Sequence, residues 1–148
     1  MRIAIACDHA AFSHKQAVAA HLAALGHFVE DFGTGSEASV DYPDYGLPAA
    51  KSVASGRNEK GILICGTGIG MSIVANKVGG IRCALVHSID TARITAAHNN
   101  PNMIAMGARI VDVPTALAMV DVWLTTAFET RHQRRLDKIT ACEGASAC

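Results

Sequence analysis

The sequence predicts an α/β fold in which helices cover a parallel β-sheet. Apolar runs of strand length recur along the 148 residues, and segments with helical periodicity separate them. A chain that alternates in this way places its strands in parallel and returns between them through helices. The five predicted strands cover residues 3–6, 28–32, 62–65, 83–86 and 103–106.

The helix between the first two strands has the clearest local pattern. Ser13 is a suitable N-cap, and Gly26 stands where a C-terminal glycine is expected. Val18, Leu22 and Leu25 share one helical face, which should pack on the sheet. Further helices are predicted within residues 45–55 and over 72–77, 91–98, 115–128 and 131–141.

Length and composition indicate one domain spanning residues 1–148. A hydrophobic share of 50% is enough for a sizeable core. Thirteen Lys and Arg balance thirteen Asp and Glu, without a long run of one sign, so neither nucleic acid nor a membrane is expected as a partner. Residues 143–148 are small and polar and are expected to fray.

The cysteines and the N-terminal residues favour a reducing cytoplasm. The 5 cysteines are odd in number, widely spaced and without the CxxC pair that zinc and redox sites use. The first strand is followed at once by the charged Asp8, which leaves no long apolar region of a secretory signal. We therefore expect a cytoplasmic protein without a bound metal.

The strongest local motif is a buried-type strand that runs into a glycine-rich turn and then into a helix. The turn consists of Gly66, Thr67, Gly68, Ile69 and Gly70. Glycines let the backbone approach a ligand closely, and successive N–H groups at a helix start can hold an oxyanion or a phosphate. The spacing fits neither the dinucleotide fingerprint nor a P-loop.

Polar residues follow the first and third predicted strands. Cys65 stands beside the glycine-rich turn, where the helix dipole favours a thiolate that can act as a base, although a small cysteine can also simply fill space. Asp8 and His9 should reach the same carboxyl edge of the sheet, where ligands of such folds bind. Taken alone, Asp8 could equally be a helix-capping acid and His9 a solvated histidine.

Two further pairs of residues can carry proton transfer or phosphate binding. His98 and Asn99 close a predicted helix, where a histidine can transfer protons near neutral pH, although the segment also suits a simple turn. Arg131 and Arg135 are four residues apart, which places both guanidiniums on one face of a helix. Such a pair can grip a phosphate, although a solvated basic helix end would look the same.

Taken together, these residues resemble the ribose-5-phosphate isomerase B family, which also includes galactose-6-phosphate isomerase subunits. The resemblance spans nearly the whole chain, and several separated motifs in the right order make a chance match implausible. The matching motifs are Cys7-Asp8-His9, Asp41-Tyr42-Pro43, Cys65-Gly66-Thr67-Gly68-Ile69-Gly70, Ala75-Asn76-Lys77, His98-Asn99-Asn100 and Arg131-His132-Gln133.

The resemblance implies a Rossmann-like three-layer α/β/α fold around a central five-stranded parallel sheet. It also implies a homodimer or a dimer of dimers, with active sites shared between two subunits. The implied reaction interconverts D-ribose 5-phosphate and D-ribulose 5-phosphate, a step of the pentose phosphate pathway, through an enediolate and without a cofactor or metal.

By the same resemblance, Cys65 moves the proton between C1 and C2, and Thr67 with the amides of residues 66–70 stabilises the enediolate oxygen. His98 opens the sugar ring, and Asp8 assists transfer between hydroxyls. The residues expected to contact the sugar and its phosphate are His9, Gly66, Gly68, Ile69, Gly70, Asn99, Arg109, Arg131 and Arg135.

Two positions distinguish this sequence from parts of the family. Met71 stands where one branch carries a glutamate base, which places the chain in the cysteine branch. Thr91 stands where many relatives carry a tyrosine near the sugar, which leaves the substrate open. The alternatives are another phosphorylated aldose (allose 6-phosphate, galactose 6-phosphate or a tetrose phosphate), a non-catalytic phosphosugar-binding module and a cysteine hydrolase that uses Cys65 and His98.

Overall fold

Every apolar run predicted as a strand belongs to one parallel sheet. The computed structural model describes residues 1–144, and within them the strands are Arg2–Cys7 (β1), Phe28–Asp31 (β2), Lys60–Cys65 (β3), Cys83–Leu85 (β4) and Met103–Gly107 (β5). They pair side by side in the order β2-β1-β3-β5-β4, and each pair is parallel. The predicted parallel sheet is confirmed.

Helices join successive strands and follow the last one, and they cover both faces of the sheet. They are Phe12–Ala24 (α1), Pro43–Ala54 (α2), Ile69–Ala75 (α3), Ile89–Asn99 (α4), Val113–Thr125 (α5) and Gln133–Gly144 (α6). Short 3-10 turns over His9–Ala11 and Thr130–His132 lead into α1 and α6. Residues of α1, α4 and α5 pack on one face and residues of α2 and α3 on the other, which confirms the three-layer arrangement.

The side chains of β1 supply both layers of the core. Ile3 and Ile5 point towards the face that α1 and α5 cover. Ala4 and Ala6 point the other way, towards Ala49 of α2. All these side chains are fully buried, as is typical of a strand covered on both faces. Because alanine is small, α2 can lie close to the sheet.

The first helix begins and ends differently from the prediction. Oδ1 of Asp8 accepts the N–H of the residue two positions on at 3.0 Å, and the 3-10 turn that it caps leads directly into α1. The predicted N-cap at Ser13 is wrong, because this turn already satisfies the first N–H groups. Leu25 follows the last helical residue and is 53% exposed, so it does not share the buried face of Val18 and Leu22.

The last helices also depart from their predicted limits. α5 ends at Thr125, and a 3-10 turn separates it from α6, so the helix predicted over 131–141 begins at Gln133. α6 reaches Gly144, two residues into the segment expected to fray, and Oε2 of Glu143 accepts the N–H of Gly80 at 2.9 Å. Residues 145–148 of that segment lie outside the described residues. Over residues 1–144, no helix is long and apolar enough to cross a membrane.

Candidate active site

The carboxyl edge of the sheet brings together residues that follow three different strands. β1 and β3 are neighbours, and the chain leaves them towards opposite sides of the sheet, which is where ligands of such folds bind. The N–H of Asp8 donates to the carbonyl of Ile64 at 3.2 Å, and the N–H of Arg109 donates to the carbonyl of Gly66 at 3.0 Å. Asp8 and Cys65 therefore share this edge, as the parallel topology predicts. We call the following residues the carboxyl-edge group: Asp8, His9, residues 65–70 and Arg109.

Cys65 is the last residue of β3, and the glycine-rich loop encloses its sulfur. Only 5% of the residue is exposed, and the N–H of Gly68 donates to Sγ at 3.1 Å. An N–H directed at sulfur stabilises negative charge on it. The arrangement suits a thiolate that acts as a base or as a nucleophile.

Two glycines allow the loop to lie directly against β5. Gly68 has a φ of +80°, which favours glycine, and a Cβ there would stand 2.8 Å from the carbonyl carbon of Met106. A Cβ on Gly107 would stand 2.6 Å from Cα of Thr67. These close backbone contacts fix the path of the loop and therefore the directions of its N–H groups.

The glycine-rich loop of residues 66–70 is predicted to hold an oxyanion through its N–H groups, but two of these groups have partners inside the loop. The N–H of Gly68 is directed at Cys65, and the N–H of Ile69 donates to Oγ1 of Thr67 at 3.4 Å. Thr67 is exposed, so its hydroxyl can turn towards a ligand. Since α3 has only 7 residues, any anion at this loop depends on the loop amides more than on a long helix dipole.

Backbone groups hold both Asp8 and His9. Asp8 is 9% exposed and caps the 3-10 turn, which is the alternative that the sequence left open for this residue. The N–H of Val40 donates to Nδ1 of His9 at 3.2 Å. Since Nδ1 accepts, a neutral His9 carries its proton on Nε2, which can donate to an anion.

The other predicted site residues lie at the opposite, amino edge of the sheet. α4 starts after β4 and ends just before β5, so His98 and Asn99 return to the edge at which the strands begin. The segment after α5 returns in the same way, and the N–H of Glu129 donates to the carbonyl of Ala97 at 2.8 Å. The structure thus separates these residues from Cys65. We call the following residues the amino-edge group: His98, Asn99, Arg131 and Arg135.

A single carboxylate organises much of the amino-edge group. Oε2 of Glu129 accepts from Nε of Arg131 at 2.7 Å and pairs with Nη2 at 2.6 Å. The same oxygen lies 3.6 Å from Nε2 of His132 and 4.0 Å from Nε2 of His98. The hydrogen bond from Arg131 lowers the pKa of Glu129, which keeps the carboxylate ionised at neutral pH.

His132 lies beside Glu129 and the amino-edge group, and its side chain is buried. It is 3% exposed, and its ring centroid lies 4.4 Å from that of His98. Nη1 of Arg135 donates to Nδ1 at 2.7 Å, while Nε2 has no hydrogen-bond partner among the described residues. Burial lowers the pKa of His132, and the neighbouring Arg131 lowers it further, so the ring is neutral near pH 7.

The two arginines do not share one helix face. Arg131 belongs to the 3-10 turn, whereas Arg135 belongs to α6. Arg131 is bound by Glu129 and Arg135 contacts His132. The common face predicted for a helix over 131–141 is wrong because Arg131 lies in the 3-10 turn, before that helix begins at Gln133. Both side chains still lie at the amino edge.

The ligand atoms of His98, Glu129 and His132 lie within 4.8 Å of one another, a spacing that could hold a metal ion. The donors do not fit one as they stand. Because Arg135 donates to Nδ1 of His132, the neutral ring carries its proton on Nε2, the atom that a metal would need. Arg131 already neutralises Glu129. The cluster is therefore better suited to an anion than to a cation.

Two surface cavities formed by the described residues border the two edges. One of about 540 Å³ lies between β4 and α6, and Asn99 is among its lining residues. A cleft of about 220 Å³ is lined by Thr67, Ile69, Leu85, His87 and Ile110. Neither cavity encloses Cys65.

Sequence reasoning missed three residues that shape these groups. His132 lies inside the matched Arg131-His132-Gln133 motif, and its place between two arginines was a usable signal. Gly107 directly follows the strand predicted over 103–106 and ends β5, but its contact with Thr67 depends on strand order, which the sequence does not give. Glu129 lies between helices and carries no local pattern.

Comparisons with known proteins match one family over nearly the whole chain. The sequence model of the family described as ribose/galactose isomerase matches residues 3–139. Ribose-5-phosphate isomerase B of Escherichia coli is 44% identical over 96% of both chains. Galactose-6-phosphate isomerase subunit LacB of Clostridium acetobutylicum is 41% identical over 91% of this chain and 78% of its own. The structure of Clostridium thermocellum ribose-5-phosphate isomerase B is similar with a TM-score of 0.94, at 46% identity over 97% of this chain and 98% of that one.

Proposed function

Because the chain belongs to the ribose/galactose isomerase family and is a sugar-phosphate isomerase, we propose that it interconverts D-ribose 5-phosphate and D-ribulose 5-phosphate. The relative from Escherichia coli and the Clostridium thermocellum structure are both named for this activity. The observation that carries the proposal is the buried sulfur of Cys65, 3.1 Å from the Gly68 nitrogen, at an edge shared with Asp8 and Arg109.

Cys65 is the base of the proposed proton transfer. Its thiolate removes the proton from C2 of the open-chain aldose, the C–H electrons form the C1–C2 double bond, and negative charge develops on the C1 oxygen. Return of the proton to C1 gives the ketose, and Asp8 assists proton transfer between the two hydroxyl oxygens. Thr67 and the loop amides supply donors to the oxyanion, and losing one such donor typically costs about a hundredfold to a thousandfold in rate.

The remaining residues open the sugar ring and bind its ends. His98 is the acid-base group of ring opening, and Asn99 contacts the sugar. Support for phosphate binding comes from the Nε2–H of His9, which is available to an anion, and from the exposed guanidinium of Arg109. The residues proposed to hold the phosphate are His9, Arg109, Arg131 and Arg135.

Two copies of the chain are proposed to complete each site. Strands of five or six residues span about 17–20 Å, so Cys65 and His98 of one chain cannot reach the same small sugar from opposite edges. A homodimer, alone or within a dimer of dimers, would set the amino-edge group of one copy against the carboxyl-edge group of the other. The exposed apolar side chains of Ile69 (52%) and Ile110 (58%) beside the loop support such a contact.

Replacing Cys65 with alanine tests the reaction and the base together. Ketose formation from ribose 5-phosphate should fall by about a hundredfold or more in Cys65→Ala, because a positioned base typically contributes 10²–10⁴. Cys142→Ala removes an exposed cysteine on α6 and is the matched control, which should keep full activity. Circular dichroism checks that all three proteins fold alike. If Cys65→Ala and the native protein were equally active, Cys65 would not be the base. If the native protein were inactive on ribose 5-phosphate, the proposed substrate would be wrong.

Another phosphorylated aldose is the second candidate, and the similarity to LacB favours it. Thr91, where many relatives carry a tyrosine, is engaged in its own helix cap, with Oγ1 accepting the N–H of Ser88 at 3.0 Å. Values of kcat/KM for ribose 5-phosphate, allose 6-phosphate, galactose 6-phosphate and a tetrose phosphate decide between them. A pure binding module would bind sugar phosphate without exchanging the C2 proton, and a hydrolase would form an acyl intermediate on Cys65.

We place this activity in a reducing cytoplasm and in the pentose phosphate pathway. The proposed base must stay a free thiol, which a reducing compartment ensures. The small phosphosugar is the proposed partner, with no nucleic acid involved.

A further inference from the structure

The carboxylate of Glu129 lies where the amino-edge group is expected to receive a phosphate. Oε2 contacts both Nε and Nη2 of Arg131, at 2.7 Å and 2.6 Å. The same oxygen lies within 4.0 Å of a ring nitrogen of His98 and of His132. An anion from the protein itself thus fills the centre of a cluster of cationic and polarisable groups.

A main-chain hydrogen bond anchors the backbone of Glu129, not its side chain. The N–H of Glu129 donates to the carbonyl of Ala97 at 2.8 Å, which fixes the residue beside the last turn of α4. Its side chain is 45% exposed and that of Arg131 is 66% exposed. An exposed pair contributes little to stability, so an incoming anion can open it without disturbing the core.

A phosphate and this carboxylate cannot both remain on Arg131 at low cost. Two negative charges a few ångströms apart repel each other, and repulsion grows as water is excluded from the site. Rotation of the Glu129 side chain towards solvent would free Arg131 while leaving the backbone contact with Ala97 intact.

We propose that Glu129 is a specificity residue, an internal anion that competes with the substrate phosphate for Arg131. This inference rests on the proposed function, in which Arg131 holds the phosphate. A sugar phosphate replaces the carboxylate with a group of higher charge. A neutral sugar has nothing to replace it with and leaves the Arg131–Glu129 pair closed. Glu129 thus strengthens the requirement for phosphate and weakens the affinity for it.

The variant Glu129→Gln removes the charge and keeps the size of the side chain. Inorganic phosphate, titrated by calorimetry into the full-length protein, should bind about two- to tenfold more tightly to this variant than to the native protein. KM for ribose 5-phosphate should fall by a similar factor while kcat stays within about twofold. Asp137→Asn is the matched control, because it removes one charge from α6 at a carboxylate that contacts Gln133 and not Arg131.

Unchanged or weaker phosphate binding by folded Glu129→Gln would overturn the inference. A fall in kcat at constant KM would also overturn it, because the carboxylate would then orient His98 instead of competing with phosphate. Glu129→Ala provides a second variant if the glutamine protein does not fold. The phosphate titration needs no turnover, so tighter binding in a protein inactive on ribose 5-phosphate would support this inference while refuting the proposed reaction.

Discussion

At the scale of single residues, Gly107 leaves the least room for an added atom at the carboxyl edge. It pairs with Cys65 across β3 and β5, and an added Cβ would stand 2.6 Å from the backbone of Thr67. Gly107→Ala should therefore push the loop away from β5. We expect a loss of about 1–3 kcal/mol in the free energy of unfolding and a fall of about tenfold to a hundredfold in kcat.

Gly79→Ala is the matched control, since a Cβ at Gly79 meets no atom within 4 Å. Urea unfolding and steady-state kinetics on both variants separate the loss of stability from the loss of rate. If Gly107→Ala were as stable and as active as Gly79→Ala, the contact with β5 would not position Thr67.

Single residues were predictable where a local pattern marked them. Cys65 was found because a cysteine at the end of an apolar strand precedes three spaced glycines. Asp8 was predictable from its place after a strand, but a residue in that place can also cap a turn, as Asp8 does. The local sequence alone cannot separate the capping role from a role in the site. Glu129 was not found, because its partners on α4 and after α5 come together only in the folded chain.

At the scale of elements, Asn76 joins α3 to the edge strand β4. Its Oδ1 accepts the N–H of Cys83 at 2.9 Å, and its Nδ2 donates to the carbonyls of Ser72 and Cys83 at 2.8 Å. Asn76→Ala should lower the free energy of unfolding by about 1–3 kcal/mol, because both backbone groups of the buried Cys83 lose a partner.

Asn76→Asp should cost at least as much, since it keeps the acceptor for the Cys83 N–H but sets a carboxylate oxygen against the carbonyls of Ser72 and Cys83. Urea unfolding of the three proteins measures the order. Equal stability of the alanine variant and the native protein would mean that other groups or water replace the amide.

The elements themselves followed from apolar runs, because strands buried on both faces leave a continuous hydrophobic stretch. Their limits were less predictable where the chain uses 3-10 turns. Asp8 caps the 3-10 turn after β1, so Ser13 is not the N-cap that the pattern predicts. The 3-10 turn before α6 contains Arg131, whereas Arg135 lies in α6. Each turn spans only three residues, which is too short to show the helical periodicity on which the predictions depend.

At the scale of the whole molecule, mixing two inactive variants tests whether the sites are shared. Cys65→Ala disables the carboxyl-edge group, and His98→Asn disables the amino-edge group. In a random mixture half of the dimers are hybrids, and one of the two sites in each hybrid is intact. About a quarter of native activity should therefore return on co-expression.

Each variant expressed alone is the control and should stay inactive. Hybrids isolated with two different affinity tags that remain inactive would show that each site lies within one chain. An active monomer in size-exclusion chromatography would lead to the same conclusion.

The three-layer fold was predictable because the family resemblance covers nearly the whole chain. The meeting of Asp8 and Cys65 was predictable because parallel strands end at one edge. By the same rule, a helix that connects two parallel strands ends at the opposite edge of the sheet. The position of His98 at the amino edge was therefore also predictable. How the proposed second copy would dock was not, because a docking surface leaves no periodic pattern in the sequence.

The alanine layer beneath α2 has a consequence for the loop that carries Cys65. Tyr42 stands at the N-cap of α2, and its ring lies against Gly70, where an added Cβ would be only 2.7 Å away. Ala49 and Ala50 hold the same helix against the sheet with no exposed surface. Because these side chains are single methyl groups, α2 packs close to the sheet. The position of α2 in turn determines where Tyr42 contacts Gly70. A larger side chain in this layer would move α2 and Tyr42 away from Gly70 and so loosen the loop. The change would lie in the core, which no substrate reaches.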